Sequence, residues 1–298
     1  MGMTDFTIEP IDTGRPDFAG RVTGLNIAAG VSTADAAKLE TAMDHYAVLV
    51  FKNQNISDDQ QYGFSEHFGP MESATGDIAK THERRLSMKL NDISNLNAKG
   101  EVMARDDRRR LFGLGNMLWH SDSSFKTTPA KYSLLSARAI PDKGGNTEFA
   151  DMRKAWDTLD SERQQRCMGL VCEHSQIYSR GLLGFSDWDE EELKKFAPVR
   201  QRLVRRHAGS GRLSLYLASH AGAIHGWPVP EARMFLRDLT EHATQREFVY
   251  SHQWQQHDLV MWDNRAVMHR AREYDRNQVR DMRRTTVADS APTLEQPL

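Results

Sequence analysis

The alternation of apolar and polar positions divides the chain into short strands with helices between them. Short strands are predicted at 6–8 and 20–25, and the continuous apolar run at 46–51 is predicted to be a buried strand. Strand patterns return later in the chain, at 132–140, 213–217, 259–262 and 284–287. The strands therefore begin near the N-terminus, pause for helical insertions and resume to the end of the chain.

Helix starts are marked by capping residues and by helical spacing of apolar positions. Ser32 and Ser57 are each followed three residues later by Asp or Gln, the pattern of a capping box. The second helix is expected to carry Phe64 and Phe68 and to stop at Gly69. Two further helices are predicted at 151–170 and 229–244.

Residues 71–117 show little periodicity and many charges, including a basic region at 99–110. Composition alone favours a solvated loop there. A loop of this length inside a compact domain is often functional, for example as an active-site lid. We therefore expect a mobile active-site loop around 71–117.

This order of elements indicates the fold class α+β, mainly β. A parallel βαβ sheet would need a regular alternation of strands and helices, which is missing. A closed double sheet instead brings sequence-distant strands together around a central cavity. We predict one domain over 1–298, with a double-stranded β-helix (jelly roll) core and helical insertions.

Length, charge and cysteine content narrow the class of protein. The chain has 298 residues, a formal charge of −2 and a pI near 6.6, so no nucleic-acid partner or basic membrane face is expected. No apolar run reaches the ~20 residues of a membrane span. Residues 1–5 do not resemble the start of a secretory signal. With Cys167 and Cys172 as its sole cysteines, interpreted as structural residues of a helical segment, we expect a cytoplasmic protein.

The main chemical motif is His120-Ser121-Asp122, with His269 far downstream. Side chains two apart on a strand point the same way, so His120 and Asp122 can face one ion. Two histidines and one carboxylate leave three positions open, as in non-haem Fe(II) oxygenases. Two other interpretations stay open at this point: a structural His–Asp pair, and a zinc site for hydrolysis.

Two arginines near the C-terminus suggest anionic ligands. Arg280 and Arg284 are four residues apart, so both side chains could enter one cavity if the segment is extended. A guanidinium group binds a carboxylate as a two-pronged fork. Exposure on the surface is the alternative that composition favours.

Four blocks carry a family resemblance over nearly the whole chain. They are LWHSDSSF at 118–125, GGNTEF at 144–149, HATQREFVY at 242–250 and VMWDNR at 260–265. On these blocks the chain resembles the taurine / 2,4-dichlorophenoxyacetate dioxygenase family of Fe(II)- and 2-oxoglutarate-dependent oxygenases. The blocks are most similar to those of the 2,4-dichlorophenoxyacetate branch.

The resemblance implies a role for each matching residue. The two histidines and the aspartate of the motif match the iron ligands. Thr147 matches the hydroxyl that binds the distal carboxylate of 2-oxoglutarate, and Arg280 matches its salt-bridge partner. Arg284 matches an arginine that holds the substrate carboxylate. A carboxylate is well served by a charged fork and a hydroxyl donor.

Further substrate-binding candidates are less specific, since each could equally be an ordinary turn or solvated loop residue. The chain departs from the family where a relative has a second histidine and this sequence has Ala223. Whether His225 compensates is left open. The candidates are His207, Asn95, Lys80 and His220.

The resemblance implies coupled decarboxylation of 2-oxoglutarate and hydroxylation of an aryloxyalkanoic acid, with Fe(II) and O2 and with ascorbate in support. From 2,4-dichlorophenoxyacetate the products would be 2,4-dichlorophenol, glyoxylate, succinate and CO2. We expect a homo-oligomer with a small anionic substrate. Three alternatives remain: a taurine or alkyl-sulfonate dioxygenase of the same fold, a zinc hydrolase, and a non-catalytic jelly-roll binding protein.

Overall fold

A computed structural model describes residues 5–298 of the chain. Residues 1–4, which bear on the expected absence of a secretory signal, lie outside the described residues. The strands are β1 Thr7–Pro10, β2 Gly20–Thr23, β3 Val48–Phe51, β4 Asn91–Asp92, β5 Ala130–Ala139, β6 Thr147–Asp151, β7 Val171–His174, β8 Val199–Arg202, β9 Val204–Arg206, β10 Leu213–Leu215, β11 Ala221–Ile224, β12 Val249–His252, β13 Leu259–Asp263, β14 Val267–Ala271 and β15 Asp281–Ala288.

Helices connect these strands and cover their outer faces. The α-helices are α1 Thr33–Tyr46, α2 Asp58–Glu66, α3 Arg108–Gly113, α4 Met152–Asp157, α5 Ser161–Cys167, α6 Gln176–Gly181, α7 Glu190–Lys195 and α8 Val229–Ala243. Short 3-10 helices lie at Ile27–Ala29, Thr81–Glu83, Leu114–Met117, Arg246–Phe248 and Thr293–Glu295.

The largest sheet has seven strands in the order β1-β2-β3-β13-β5-β15-β4. Its central strands are apolar on both faces, and all four residues of β3 are buried. Leu49 and Phe51 pack with α1 and α2 on one face, whereas Val48 and Val50 pack on the other face in a cluster that includes Phe149 of β6. This explains why 46–51 lacks alternation in the sequence, because neither face of the strand meets water.

A second sheet, in the order β12-β6-β14, lies against that inner face. Smaller sheets, β11-β7-β8 and β10-β9, come from the segment between β6 and β12. Helix α8 and helix α4 contribute Leu236 and Trp156 to the core cluster that these elements share. The mainly β, α+β organisation predicted from the sequence is therefore confirmed.

The predicted helix starts lie where the capping residues put them. Ser57 and Gln60 form a full capping box, with the Gln60 side chain accepting from the Ser57 backbone N–H at 2.8 Å. At α1 the arrangement differs. The Ser32 hydroxyl accepts from the Asp35 N–H and also donates to the Asp35 carboxylate at 2.8 Å. Helix α2 ends at Glu66, two residues before Phe68.

Two predicted elements are corrected by the structure. The helix predicted at 151–170 is two helices, α4 and α5, because Asp160 caps the second one by accepting from the Arg163 N–H. Cys172 lies in strand β7 and not in a helix. Both thiols are buried and burial raises their pKa, to about 11 for Cys167 and about 12 for Cys172.

The region 71–117 is not one continuous loop. It contains strand β4, helix α3 and the 3-10 helix Leu114–Met117. Helix α3 is capped by Asp107, and its first residue, Arg108, forms ion pairs with Asp187 and with Glu192 of α7. The basic run is predicted to be a solvated loop, and its C-terminal part is instead the first turn of α3, which the Asp107 cap and the ion pairs of Arg108 stabilise. None of the helices within 5–298 combines the length and apolar character that crossing a bilayer requires.

Candidate active site

The three residues of the predicted metal set converge in one buried spot. His269 lies on β14, and His120 forms an isolated antiparallel bridge with it through backbone hydrogen bonds of 3.0 and 2.8 Å. Asp122, two residues further along, points to the same side. All three side chains are at least nine-tenths buried, and their possible ligand atoms lie within 4.8 Å of one another.

The spacing of these atoms fits a shared metal ion. Nε2 of His120 lies 3.8 Å from one oxygen of Asp122, and Nε2 of His269 lies 3.7 Å from the other. These separations are too long for hydrogen bonds. Since metal–nitrogen and metal–oxygen bonds are about 2 Å, two ligand atoms of one ion stand no more than about 4 Å apart, and both histidine–aspartate separations meet that limit. The three side chains therefore fit a metal.

Polar contacts fix the orientation of the ligands. Nδ1 of His120 lies 2.7 Å from the Leu118 carbonyl, so Nδ1–H donates there and Nε2 keeps its lone pair for a metal. The Ser133 hydroxyl donates to Asp122 at 2.7 Å and is itself held by the Asn264 amide at 3.0 Å. The Asn264 carbonyl oxygen in turn accepts from the Asp122 backbone N–H.

Electrostatics favour the metal-binding protonation states. Burial lowers the pKa of His120 and of His269, so both imidazoles are neutral acceptors. For Asp122 burial opposes ionisation, but the Arg284 guanidinium and the two imidazoles outweigh it and lower the pKa to about 2. Asp122 is thus a carboxylate at neutral pH, as a metal ligand must be.

Thr147 and Arg280 lie at one end of this centre. Both are buried, and both line a cavity of about 30 Å³ that also reaches His120 and His269. The Thr147 oxygen accepts from the Trp254 indole N–H at 3.0 Å, which leaves the Thr147 hydroxyl proton free to donate. The Arg280 guanidinium donates to the Ile93 carbonyl at 3.2 Å and has no carboxylate partner among residues 5–298.

The two glycines before Thr147 allow a close approach of two chain segments. Gly144 has a φ of 77°, and a Cβ there would collide with the Glu273 carbonyl oxygen. Gly145 donates its N–H to the same carbonyl at 2.9 Å. The block therefore fastens the start of β6 to the segment that leads to Arg280.

Arg284 lies beside the metal set and donates directly to Asp122. It lines both the small cavity and a larger one of about 170 Å³. The predicted same-side placement of Arg280 and Arg284 holds, because the irregularity of the ladder adds its extra residue, Arg138, to β5 and leaves β15 regular.

The larger cavity opens from His120 and Asp122 and is walled mainly by residues of 71–117. Its apolar lining includes Phe112, Phe125 and Met117. The cavity is thus suited to a substrate with an apolar body next to the metal set.

Of the four further substrate-binding candidates, two line the large cavity and two do not. Asn95 lines the large cavity, but its amide donates to the carbonyls of Arg276 and Gln278 and its oxygen accepts from the Arg280 N–H, so it holds the arginine segment in place. His220 also lines the cavity, with its ring 6.0 Å from that of His120.

His207 and Lys80 are not in the cavity lining. His207 is buried, with Nε2 2.8 Å from the Asp263 carboxylate, and this pairing accounts for it as a structural residue. The Lys80 side chain is exposed. His225 is exposed at the end of β11 and absent from the lining as well, so it does not compensate for Ala223.

Three further residues of the site, Ser133, Trp254 and Arg180, belong to none of the four sequence blocks, whereas Asn264 lies in the block at 260–265 without a role assigned to it there. Ser133 is one of two buried serines in β5, Asn264 lies between the buried residues Asp263 and Arg265, and Trp254 can only be identified as a partner of Thr147 once β6 and its neighbours are placed. Arg180, on helix α6, lines the large cavity with its buried guanidinium. A serine within the apolar part of β5 is a weak signal for Ser133, and Ser136 of the same strand gives the same signal.

Comparison with known proteins agrees with this site. The sequence model described as "Taurine catabolism dioxygenase TauD, TfdA family" matches residues 8–286. An alpha-ketoglutarate-dependent 2,4-dichlorophenoxyacetate dioxygenase of Cupriavidus pinatubonensis is 45% identical over 276 residues, which are 93% of this chain and 96% of that protein. An (S)-phenoxypropionate/alpha-ketoglutarate-dioxygenase of Sphingobium herbicidovorans is 34% identical over 95% of both chains.

A solved structure is also similar over the full length. The crystal structure of AAD-2 in complex with Mn(II) and N-oxalylglycine shares 54% sequence identity and superposes with a TM-score of 0.94. The match covers 98% of this chain and 100% of that one. The resemblance inferred from the four sequence blocks is therefore confirmed.

Proposed function

The chain belongs to the taurine catabolism dioxygenase TauD, TfdA family, and on this premise we propose that it is a Fe(II)- and 2-oxoglutarate-dependent dioxygenase that hydroxylates aryloxyalkanoic acids. The observation that carries the proposal is the convergence of His120, Asp122 and His269 between two cavities. One cavity has an anion-binding end, and the other has an apolar wall. The similar dioxygenases of 2,4-dichlorophenoxyacetate and phenoxypropionate support the substrate class.

A bound Fe(II) ion would supply the O2 chemistry that couples decarboxylation of 2-oxoglutarate to oxidation of a C–H bond. The two imidazoles and the Asp122 carboxylate would hold it, a ligand set typical of non-haem Fe(II) oxygenases. Arg280 and the Thr147 hydroxyl bind the distal carboxylate of 2-oxoglutarate as a charged fork and a neutral donor. The Trp254 N–H keeps the Thr147 proton directed away from the indole.

The large cavity orients the substrate. Phe112, Phe125 and Met117 pack against the aryl ring, and the ring excludes water from the metal. Arg284 faces the substrate acid while it also donates to Asp122. With the acid held, the carbon next to the ether oxygen faces the metal, and hydroxylation there gives a hemiacetal. That compound breaks down to the phenol and glyoxylate, beside succinate and CO2.

We further propose a jelly-roll core, a cytoplasmic location and a homo-oligomeric state. The seven-stranded sheet and the β12-β6-β14 sheet would form the two halves of a double-stranded β-helix, which the packing of Phe149 against the large sheet supports. A cytoplasmic location is proposed from the cysteine content, and a homo-oligomer is proposed beside it. Light scattering of the purified protein checks its oligomeric state, and a single-chain mass would reject that part.

The test is a product screen under air with Fe(II), 2-oxoglutarate and ascorbate. We expect phenol release from aryloxyacetates matched one to one by succinate. Sulfite release from taurine or an alkyl sulfonate, without phenol, would identify the other branch of the family. Turnover without O2 and 2-oxoglutarate would indicate a zinc hydrolase, and the absence of any succinate would indicate a binding protein.

A further inference from the structure

Buried arginines in this chain fall into two groups. Five arginines of the described chain are more than nine-tenths buried. Three of them pair with a buried carboxylate and lie outside the two cavities: Arg153 with Asp151, Arg205 with Asp289 and Arg265 with Asp263.

The other two, Arg180 and Arg280, have no carboxylate partner among residues 5–298, and both line the large cavity. Burying a cation without a counter-charge is costly, so the uncompensated pair marks places where an anion is to be bound. The proposed reaction consumes two carboxylic acids, 2-oxoglutarate and the aryloxyalkanoic acid. Arg280 binds the first of them.

We propose that Arg180 is the residue that selects a carboxylic acid as the substrate of this enzyme. This inference rests on the proposed function and deepens it. It adds to Arg284, which also donates to Asp122, a second guanidinium at the cavity whose charge nothing else in the described chain offsets.

The surroundings of Arg180 leave one edge of its guanidinium free. Nε donates to the Phe112 carbonyl at 3.1 Å, and Nη1 donates weakly to the Ser179 hydroxyl at 3.3 Å. Nη2 has no hydrogen-bond partner among residues 5–298. Burial lowers the pKa of Arg180 to about 10, so the group still carries its charge at neutral pH.

A continuous set of contacts places this charge near the metal set. The Ser179 hydroxyl that meets Arg180 also lies 2.8 Å from Nδ1 of His220. The His220 ring is in turn 6.0 Å from the ring of His120. Ser179 and His220 are thus the two residues between Arg180 and the metal ligand His120 in this set of contacts, and Arg180 and His120 line the same cavity.

The chain also makes room for the guanidinium. Gly115, in the 3-10 helix Leu114–Met117, lies so close that a Cβ at this position would overlap with the Cζ, Nε and Nη1 atoms of Arg180. The Phe112 ring lies 4.5 Å below the guanidinium and supports it from the other side. A Gly115→Ala change thus displaces Arg180 while its charge is kept.

The experiment compares an acid with its neutral analogue. Phenoxyacetate and phenoxyacetamide are titrated calorimetrically into the protein loaded with Mn(II) and N-oxalylglycine. We expect the wild type to prefer the acid, and Arg180→Gln to weaken acid binding roughly 10- to 100-fold, the value of a charged hydrogen bond, with amide binding little changed. Gly115→Ala should lose part of the same preference. Arg233→Gln is the matched control, because Arg233 packs on the Tyr178 ring of the same helix α6 but is exposed outside the cavity.

Several outcomes would overturn the inference. A wild type that binds both probes equally, or an Arg180→Gln variant that keeps the acid preference, would do so. Equal loss of both probes, or weaker N-oxalylglycine binding, would mark Arg180 as structural or as part of the co-substrate site. Loss of the preference in Arg284→Gln alone would return the role to Arg284. The proposed function fails on a separate readout, the release of phenol by the wild type under air.

Discussion

At the scale of single residues, the two oxygens of Asp122 have different partners. One accepts from Arg284 and the other from the Ser133 hydroxyl, which Asn264 holds in place. Such contacts orient a ligand before the metal arrives, and their removal typically weakens metal affinity 10- to 100-fold.

Ser133→Ala should therefore lower the affinity for Fe(II) or Mn(II) about 10- to 100-fold. Anaerobic metal titration with chelator competition measures the change. Ser136→Ala is the matched control, since Ser136 is buried on the same strand but bonds to Gln61 and not to a ligand. Equal metal affinities in the two variants would mean that Ser133 only supports the strand.

Arg284 lies on β15 and Arg280 is the residue directly before that strand. Substitutions of the two arginines should weaken the binding of different ligands. Arg280→Ala should raise the KM for 2-oxoglutarate roughly 10- to 100-fold with the metal still bound, because its free fork is then lost. Arg284→Ala should instead lower metal affinity and weaken substrate binding together, since Arg284 contacts Asp122. Steady-state kinetics with each substrate varied in turn, beside the metal titration, distinguish the two. An equal effect of both variants on 2-oxoglutarate would refute the division.

At the scale of elements, how far the sequence could predict the molecule depends on what fixes each segment. The strand Val48–Phe51 was predictable because both of its faces are buried and its sequence is therefore apolar throughout. Helix α3 was not, because six residues with three arginines form a helix here only with the Asp107 cap and the acids of α7. The spacing of His120 and Asp122 indicates a metal pair and the family resemblance adds His269, whereas the role of Ser133 is visible only once β5 lies beside Asp122.

Helix α3 walls the large cavity and depends on one cap. Asp107 accepts from the Arg109 and Arg110 backbone N–H groups, at 2.9 and 3.4 Å. Asp107→Ala should destabilise α3 by about 1 kcal/mol, which raises local opening about fivefold. Hydrogen exchange of 108–113 measures this, and the substrate KM should rise because Phe112 belongs to the cavity wall.

The control for the cap is Asp106→Ala, an exposed neighbour outside the cap contacts. Aryloxyacetate should also slow exchange across 71–117 in the wild type if this region closes over the substrate. Unchanged exchange on substrate binding would argue for a fixed wall in place of a lid.

At the scale of the whole molecule, a buried histidine links folding to pH. His174 on β7 is fully buried, with Nδ1 3.1 Å from the Ser124 hydroxyl, Nε2 without a partner within 5–298, and its ring stacked on Tyr216 at 5.9 Å. Burial lowers the pKa of His174 from 6.5 to about 3. Between pH 6.5 and about 3, the unfolded chain therefore binds a proton at His174 that the folded protein does not bind.

The sign of the effect follows from proton counting. Between pH 6.5 and about 3 the unfolded state binds the extra proton, so acid favours unfolding, by as much as about 1.4 kcal/mol per pH unit for one group. His174→Gln should flatten the fall in unfolding free energy between pH 6.5 and 4.5, as measured by urea denaturation with the metal removed. Tyr216→Phe should keep the wild-type slope, because it alters the stacked neighbour and leaves the proton site in place. Parallel curves for the wild type and His174→Gln would show that other buried groups carry the acid sensitivity of the fold.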